Sequence, residues 1–344
     1  MSYIQVSAGT FHTVLLRNDG DAVACGSNFL RQCNIPPLEQ GISYTQVSAG
    51  CSHTVLLQND GNAVAFGLNM FGQCKIPPLD DGTSFIQISA GYFHTVLLKS
   101  DGNVVACGRN TSGECNLPRL HAGLFYTQVS AGEFHTVLLR SDGFALARGS
   151  NIRGQCSIPL LGQGMSYTQV SAGSGHSVLL RSDGIAVAVG QNDEGQCNIP
   201  LLEDGMSYTD VLAGGLHTLL FRSDGQVVVC GRNDEGQCNI PSLEAGSCYI
   251  GGRKLLLESR ALQLEFVHDG DSVTLVCTNL AGNEAIRVST RRSDMALNAC
   301  KLIAHELDVN IQDLELVLPD GQLLVAICLA HPHATVADVS EHGN

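Results

Sequence analysis

The sequence repeats itself with a period of 41 residues, in six consecutive copies without insertion or deletion. We number these copies repeats 1 to 6. Each repeat has an Ala-Gly pair, a His three residues after that Gly, an Asp-Gly pair, and a second Gly followed by Asn, Cys and Pro. The recurring histidines are His12, His53, His94, His135, His176 and His217. Such a period predicts that each copy is one small structural element, which must bury a face against its neighbours.

The residue pattern inside each repeat predicts β-structure. Polar and apolar residues alternate in residues 44–49, and His53–Gln58 and Ala63–Phe66 are typical of two further strands. Asp60-Gly61 between them predicts a hairpin turn, because Gly and Asp tolerate a positive φ. Residues 73–77 are a candidate fourth, outer strand, whose Pro fits an edge.

These small sheets favour a mainly β fold, a β-propeller, because radial stacking covers both faces of each sheet and a closed ring leaves few edges. A solenoid is the rival architecture. It is less favoured because parallel coils do not need an Asp-Gly turn in every copy.

Composition and charge exclude several classes of function. The chain has 19 basic and 33 acidic residues, a net charge of −14, so general nucleic-acid binding is not expected. Its first residues are strand-like rather than a secretory signal, and it has no run of about 18 apolar residues that could span a membrane. We expect a cytoplasmic or nuclear protein, a monomer, with its 14 cysteines mostly reduced.

The motif A-G-x-x-H-[TS]-x-x-L, followed by D-G and G-x-N-x-x-G-[QE]-C, resembles the RCC1 repeat, including the RCC1-like domains of HERC-type proteins. The resemblance covers residues 1 to about 246 and implies a seven-bladed propeller, with six blades as the alternative. A degenerate seventh copy would use residues 254–257 and 262–266. The predicted propeller domain is therefore 1–268.

The repeat is lost in the C-terminal part of the chain, where the pattern predicts strands at 272–277, 284–288 and 314–318 and a helix at 295–307. This order of elements resembles ubiquitin-like β-grasp domains. The predicted domain is 272–340, a small α+β segment without the last strand of that fold. One hypothesis is that residues 262–266 substitute for this strand.

The recurring polar residues are interpreted as structural. We expect each His to bond its ring nitrogen to the backbone of its own repeat, because no second metal ligand stands at a suitable spacing. The cysteines form no C-x-x-C pair, so no zinc site is expected. Motifs of serine hydrolases, P-loop NTPases and zinc proteases are absent. We therefore expect no enzyme activity, no cofactor and no metal.

Positions that differ between otherwise uniform repeats are the candidates for binding. The two residues after Ala-Gly and the two after the recurring Asn include large apolar groups in each of the first four repeats, and are mostly small or acidic in the last two. Aromatic loop residues are typical anchors of interfaces. The predicted protein-binding residues are Phe11, Phe29, Phe71, Tyr92, Phe93, Phe134 and Arg153. The alternative is that some of these rings, especially those before the His, pack between blades.

These observations favour a protein-binding scaffold or adaptor, with the ubiquitin-like resemblance pointing to ubiquitin pathways. The RCC1 resemblance also implies an alternative, a nucleotide-exchange factor or regulator of a small GTPase. That activity uses an insertion in the propeller, and these repeats have none. Two further alternatives are a protein inhibitor of an enzyme, as in a bacterial β-lactamase inhibitor with similar repeats, and a fragment of a larger HERC-like protein.

Overall fold

A computed structural model describes residues 2–240, 262–269, 272–278, 284–291 and 316–317. The chain divides into two compact units, Met1–Arg253 and Lys254–Asn344. The first unit contains the six repeats.

Each repeat forms one antiparallel sheet of three strands, in which the strands lie in chain order. The strands of repeats 1 to 3 are β1 (Tyr3–Ala8), β2 (His12–Arg17), β3 (Ala22–Gly26), β4 (Tyr44–Ala49), β5 (His53–Gln58), β6 (Ala63–Gly67), β7 (Phe85–Ala90), β8 (His94–Lys99) and β9 (Val104–Gly108). Those of repeats 4 to 6 are β10 (Tyr126–Ala131), β11 (His135–Arg140), β12 (Ala145–Gly149), β13 (Tyr167–Ala172), β14 (His176–Arg181), β15 (Ala186–Gly190), β16 (Tyr208–Ala213), β17 (His217–Arg222) and β18 (Val227–Gly231). The three strands predicted for each repeat are therefore confirmed.

The Asp-Gly pair makes the hairpin between the second and third strands. In repeat 2, Gly61 has φ +83°, and the Asp60 carboxylate accepts a hydrogen bond of 2.9 Å from the Asn62 backbone N–H. The positive φ is the reason for glycine at this position. This predicted hairpin is confirmed.

The predicted outer strand is wrong. Residues 73–77 form a turn and an irregular segment, and no sheet of repeats 1 to 6 has a fourth strand within residues 2–240. The Asn69 side chain accepts a hydrogen bond of 3.0 Å from the Cys74 backbone N–H. This side-chain contact satisfies the backbone that a strand ladder would otherwise have to satisfy.

The core lies between successive sheets. Val55 and Leu57 of repeat 2 pack against Phe85, Ile88 and Leu97 of repeat 3, and the same arrangement recurs along the chain. Polar contacts join the same faces: the Gln5 amide oxygen accepts a hydrogen bond of 2.9 Å from the Val47 backbone N–H, which lies in the next repeat. Each sheet thus uses its neighbour to bury its face, as the repeat period predicts.

The first sheet has a described neighbour on one side only. Tyr3 and Val6 are 57% and 59% exposed, whereas the equivalent Tyr44 and Val47 of repeat 2 are 3% and 2% exposed. Six sheets are described within residues 2–240. Closure of the ring and a seventh blade remain predictions.

The second unit contains a four-stranded sheet in the order β21-β20-β19-β22. Its strands are β19 (Leu262–Asp269), β20 (Ser272–Thr278), β21 (Glu284–Arg291) and β22 (Leu316–Val317). The sequence predicts residues 262–266 in the closing copy of the propeller, but residues 263–266 pair antiparallel with β20 and Leu262 pairs with β22, so this segment lies in the sheet of the second unit.

The helix predicted at 295–307 lies outside the described residues, so the ubiquitin-like domain remains a prediction. Residues 254–257, predicted to belong to the degenerate seventh copy, also lie outside them. Among the residues that the structure describes, no helix is long and apolar enough to cross a membrane.

Candidate protein-binding surface

Two variable loops of each repeat lie at the same end of its sheet. The first is the turn after Ala-Gly, between strands one and two, which we call the tip turn. The second begins at the recurring Asn after strand three, and we call it the corner loop. In repeat 2 they are held together by a hydrogen bond of 2.8 Å from the Leu68 N–H to the Ser52 carbonyl. The Asp-Gly hairpin lies at the opposite end, because the strands are antiparallel.

Tip turns of neighbouring repeats contact one another. The Tyr92 N–H donates to the Gly132 carbonyl at 3.2 Å. A Cβ atom on Gly50 would lie 2.3 Å from Cε1 of His53 and 2.4 Å from the Gly91 carbonyl oxygen. The glycine of Ala-Gly is therefore required by close approach, and the tip turns form a continuous row.

The recurring histidines join the repeats beneath this row. The expected bond to the backbone of the same repeat is wrong: Nε2 of His53 instead bonds the Thr95 hydroxyl of the next repeat at 3.0 Å. The Thr95 hydroxyl donates its hydrogen bond to the Gln73 carbonyl, at 2.8 Å. The hydroxyl oxygen therefore accepts from His53, whose Nε2 carries the proton. The equivalent contacts are His12–Thr54, His94–Thr136, His135–Ser177 and His176–Thr218.

This arrangement holds each ring in the neutral Nε2–H form. Burial lowers the pKa of His53 and His94 to about 3, and that of His135 and His176 to about 4. Within the described residues, no group of three or more His, Cys, Asp or Glu is placed to hold a metal ion. These five histidines thus form a row of structural hydrogen bonds between neighbouring repeats, which we call the seam.

Four of the predicted residues come into contact, and we call them the aromatic cluster: Phe71, Tyr92, Phe93 and Phe134. The Phe71 and Phe93 ring centroids are 5.2 Å apart, and those of Tyr92 and Phe93 are 4.6 Å apart, edge to face. Tyr92 also lies 6.1 Å from Phe134. The cluster spans repeats 2 to 4, so these rings both pack between blades and form part of the surface.

The other predicted residues are more exposed. Phe29 is 95% and Phe11 54% exposed, and neither ring makes a ring contact with another described aromatic residue. Arg153 forms an ion pair of 3.0 Å with Asp193 of the next corner loop. Further exposed apolar groups in the corner loops are Leu30, Met70 and Ile152. Repeats 1 to 4 therefore present large apolar side chains at one end of their sheets.

Sequence reasoning missed Arg109, which lies directly before the recurring Asn of repeat 3. Its guanidinium carbon is 4.2 Å from the Phe134 ring centroid, a cation–π contact. Nη1 lies 3.9 Å from Oε1 of Glu114, a buried carboxylate. Variation between repeats could have identified this position as well. Its residues are Ser27, Leu68, Arg109, Ser150, Gln191 and Arg232.

The recurring cysteines are packed thiols. The Cys115 thiol donates to the Arg109 carbonyl at 3.2 Å, and the ten cysteines of residues 2–240 are free. Burial raises the pKa of Cys107 and Cys115 to about 12. Such thiols are almost entirely protonated near neutral pH and are poor nucleophiles.

We therefore expect unequal alkylation of the native chain by iodoacetamide at pH 8. Cys25 is exposed and should react first, whereas Cys107 and Cys115 should react at least about a hundredfold more slowly. Peptide mass spectrometry over time measures each of these three sites separately, and the Cys25→Ser variant should lose only the rapid modification of its own peptide. Equal rates at all three sites would contradict the described packing.

A family model for the regulator of chromosome condensation (RCC1) repeat matches residues 3–32, 85–114, 167–196 and 208–237. Each match spans the strands and tip turn of one sheet. Repeats 1, 3, 5 and 6 therefore match the RCC1 repeat. The resemblance seen in the sequence is confirmed at this level, and so is a mainly β propeller fold.

Solved structures of RCC1-like proteins share this fold. Prp20p of Saccharomyces cerevisiae, described with its binding to Gsp1p and histones, is 19% identical, with a TM-score of 0.59 over 70% of this chain and 74% of that one. Human WBSCR16 is 18% identical, with a TM-score of 0.60 over 71% and 80%. Yeast RCC1 (Prp20) bound to Kap60 is 17% identical, with a TM-score of 0.60 over 89% and 83%. No curated protein sequence matches the chain.

Proposed function

We propose that this chain is a non-catalytic protein-binding scaffold. Its binding surface consists of the tip turns and corner loops of repeats 1 to 4. The observation that carries the proposal is the gathering of large apolar side chains there, because strongly exposed apolar groups in contiguous loops mark interaction sites. Phe29, Phe11 and the aromatic cluster would be the anchors.

The chemistry of the surface suits a protein partner. Aromatic rings contribute a large contact area with few rotatable bonds, which makes them frequent hot spots. The aromatic cluster is already packed across three repeats, so binding would cost little further ordering of its side chains. Phe29 and Met70 are exposed and would become buried on binding.

The comparisons support a protein partner in a general way. Prp20p is described as binding Gsp1p and histones, and a further structure has Kap60 bound to it. At 17–19% identity these relatives share the fold with this chain, and the same fold hosts different partners. The proposed partner is therefore a protein whose identity depends on the residues of this chain's own loops.

Substitutions copied from equivalent positions of another repeat can test this surface. Phe29→Thr and Phe71→Ser introduce the residues found at the equivalent positions of repeat 3, Thr111 and Ser112. We expect the double variant to lose most partner capture from an extract of the native source, because loss of two aromatic anchors typically costs about 2 kcal/mol or more each. Quantitative mass spectrometry of the captured proteins measures this loss.

A matched control removes two exposed aromatics from the opposite end of the sheets. Phe125→Ser and Phe144→Asn introduce residues found at the equivalent positions of repeat 2, Ser43 and Asn62. This variant should capture the same partners as the native chain. Full partner capture by the Phe29→Thr/Phe71→Ser variant, with an unchanged unfolding midpoint, would refute the proposed surface.

An exchange factor for a small GTPase is the second candidate. The likeness to Prp20p favours it, whereas the uniform three-stranded sheets of residues 2–240 have no inserted element of the kind the RCC1 resemblance implies for this activity. Release of labelled GDP from a Ran-like GTPase, with and without the chain, separates the candidates. A link to ubiquitin pathways rests on the resemblance of the C-terminal segment, and ubiquitin-affinity pull-down with residues 272–340 deleted would test it.

A further inference from the structure

Arg109 lies at the binding surface, and no described residue accepts a hydrogen bond from its guanidinium. The side chain of Arg109 donates no hydrogen bond to any described residue, and its buried Nη1 has no partner. Each of the other ion-paired arginines in residues 2–240 donates a hydrogen bond to its carboxylate, as Arg153 does to Asp193. A guanidinium has five N–H donors and binds acceptors strongly.

The reason lies in the departure of repeat 3 from the other repeats. In repeat 6 the equivalent arginine, Arg232, bonds Asp234 in its own corner loop at 3.0 Å. Repeat 3 has Thr111 at that position, so Arg109 has no carboxylate two residues after it. The carboxylate nearest to the Arg109 guanidinium comes from a different position of the corner loop.

That group is Glu114, the only carboxylate at a position that is otherwise glutamine. The other five repeats have Gln32, Gln73, Gln155, Gln196 and Gln237. Glu114 is fully buried, and Oε2 accepts a hydrogen bond of 2.8 Å from the Ser112 N–H, as the glutamines do in their repeats. Its Oε1 points toward Nη1 of Arg109 at 3.9 Å, which is too long for a hydrogen bond.

The side chain of Arg109 is therefore held in place, although its guanidinium donates no hydrogen bond to a described residue. The buried carboxylate of Glu114 attracts the guanidinium. The guanidinium carbon also lies over the Phe134 ring, 4.2 Å from its centroid. About a quarter of the side chain remains exposed, and because Nη1 is buried, that exposure belongs to the other atoms. The outward edge of the guanidinium lies beside the aromatic cluster.

We propose that Arg109 is the charged anchor of this surface and binds a carboxylate of the partner, an Asp or Glu side chain flanked by apolar residues. This inference rests on the proposed function, since it uses the same surface. A carboxylate matches the guanidinium edge with two parallel hydrogen bonds, while the aromatic cluster receives the neighbouring apolar groups. A basic partner is disfavoured because a cation already covers the ring of Phe134.

Glu133 provides a second way to determine whether the partner group bound here is an anion or a cation. It follows Gly132 in the tip turn of repeat 4, beside Phe134, and burial raises the pKa of its carboxyl group. A partner carboxylate on Arg109 would be repelled by Glu133, whereas a partner cation would be attracted. Removing this charge should therefore change the affinity in opposite directions for the two kinds of partner.

The experiment selects short random peptides, displayed on phage, against the full chain and measures the affinities of selected peptides for variants. Arg109→Gln and Glu133→Ser introduce the residues of repeat 5, Gln191 and Ser174, so the fold should tolerate both. We expect selected peptides to be rich in Asp or Glu beside apolar residues. Their affinity should fall at least about tenfold with Arg109→Gln and rise with Glu133→Ser.

The Phe71→Ser/Phe93→Ser variant separates this inference from the proposed function. Peptides that need these rings but are indifferent to Arg109→Gln, or that are rich in Lys and Arg, overturn the arginine anchor and leave the binding surface intact. If no peptide depends on Phe71 and Phe93, both proposals fail. Unfolding midpoints of all variants, compared with that of the native chain, show that the fold is retained.

Discussion

Acidification from pH 7 to pH 5 should strongly destabilise the repeat unit. The histidines of the seam are neutral and buried, and burial lowers the pKa of His53 and His94 to about 3 and of His135 and His176 to about 4. In the unfolded chain the pKa returns to about 6.5, so unfolding takes up protons below that pH. The stabilisation from these histidines is complete above pH 6.5 and declines as the pH falls, down to about 4 for His135 and His176 and to about 3 for His53 and His94.

The expected magnitude is large. Each such histidine lowers the free energy of unfolding by about 1.4 kcal/mol per pH unit below 6.5. At pH 5 this amounts to about 2 kcal/mol per histidine. Four together amount to about 8 kcal/mol, comparable with the whole stability of a typical domain. Hydrogen-bonded carboxylates such as Asp60, whose pKa is lowered by contacts with Asn62, act mainly below about pH 4 and so do not mask this effect.

Urea unfolding followed by circular dichroism at half-unit pH intervals measures the effect. His94→Gln should reduce the slope of the unfolding free energy against pH by about one proton, whatever it does to the stability itself. His121 is exposed in a loop outside the strands, so His121→Asn is the matched control for replacing a histidine and should leave the unfolding free energy at pH 7 nearly unchanged. Equal unfolding free energies at pH 7 and pH 5 would show that the seam is not buried and neutral.

Replacement of the tip-turn glycine should be the most damaging small substitution. In Gly50→Ala the new Cβ would lie 2.4 Å from the Gly91 carbonyl oxygen and 2.3 Å from the His53 ring. Neither neighbour can yield easily, because one is backbone of the next repeat and the other is held by Thr95. We expect a loss of about 3–5 kcal/mol, the range for overpacking combined with a broken buried hydrogen bond.

Gly162→Ala is the matched control. This glycine lies in an exposed linker, no atom stands within 4 Å of a built Cβ, and its φ is not in the left-handed region. Its replacement should change the unfolding free energy by less than about 0.5 kcal/mol. If Gly50→Ala matched this control in thermal or urea unfolding, the close packing of tip turns would be disproved.

The sequence allowed a prediction of most of the strands. Alternation in Tyr44–Ala49 and the Asp60-Gly61 turn are local signals, and local signals suffice where each repeat presents the same environment. The outer strand at 73–77 was predicted wrongly because Asn69, five residues earlier, satisfies the Cys74 backbone with its side chain. Periodicity carries no information about such a bond.

The candidate surface was predicted in part. Differences between repeats identified Phe71, Tyr92, Phe93 and Phe134, which the structure brings together, and Phe29, which it leaves exposed. Arg109 was missed because its role depends on Glu114 in its own corner loop and on Phe134 in the next repeat.

By itself, the sequence determined the unit of construction: a 41-residue sheet with a fixed hairpin and a glycine-requiring tip turn, stacked on its neighbours. These properties follow from local backbone preferences and from the regular burial of apolar faces. Only the tertiary structure decided what crosses between repeats: the hydroxyl partner of each histidine, the ring contacts of the aromatic cluster and the position of Arg109. The reason is physical, because such contacts depend on the distances between adjoining sheets, which no single repeat contains.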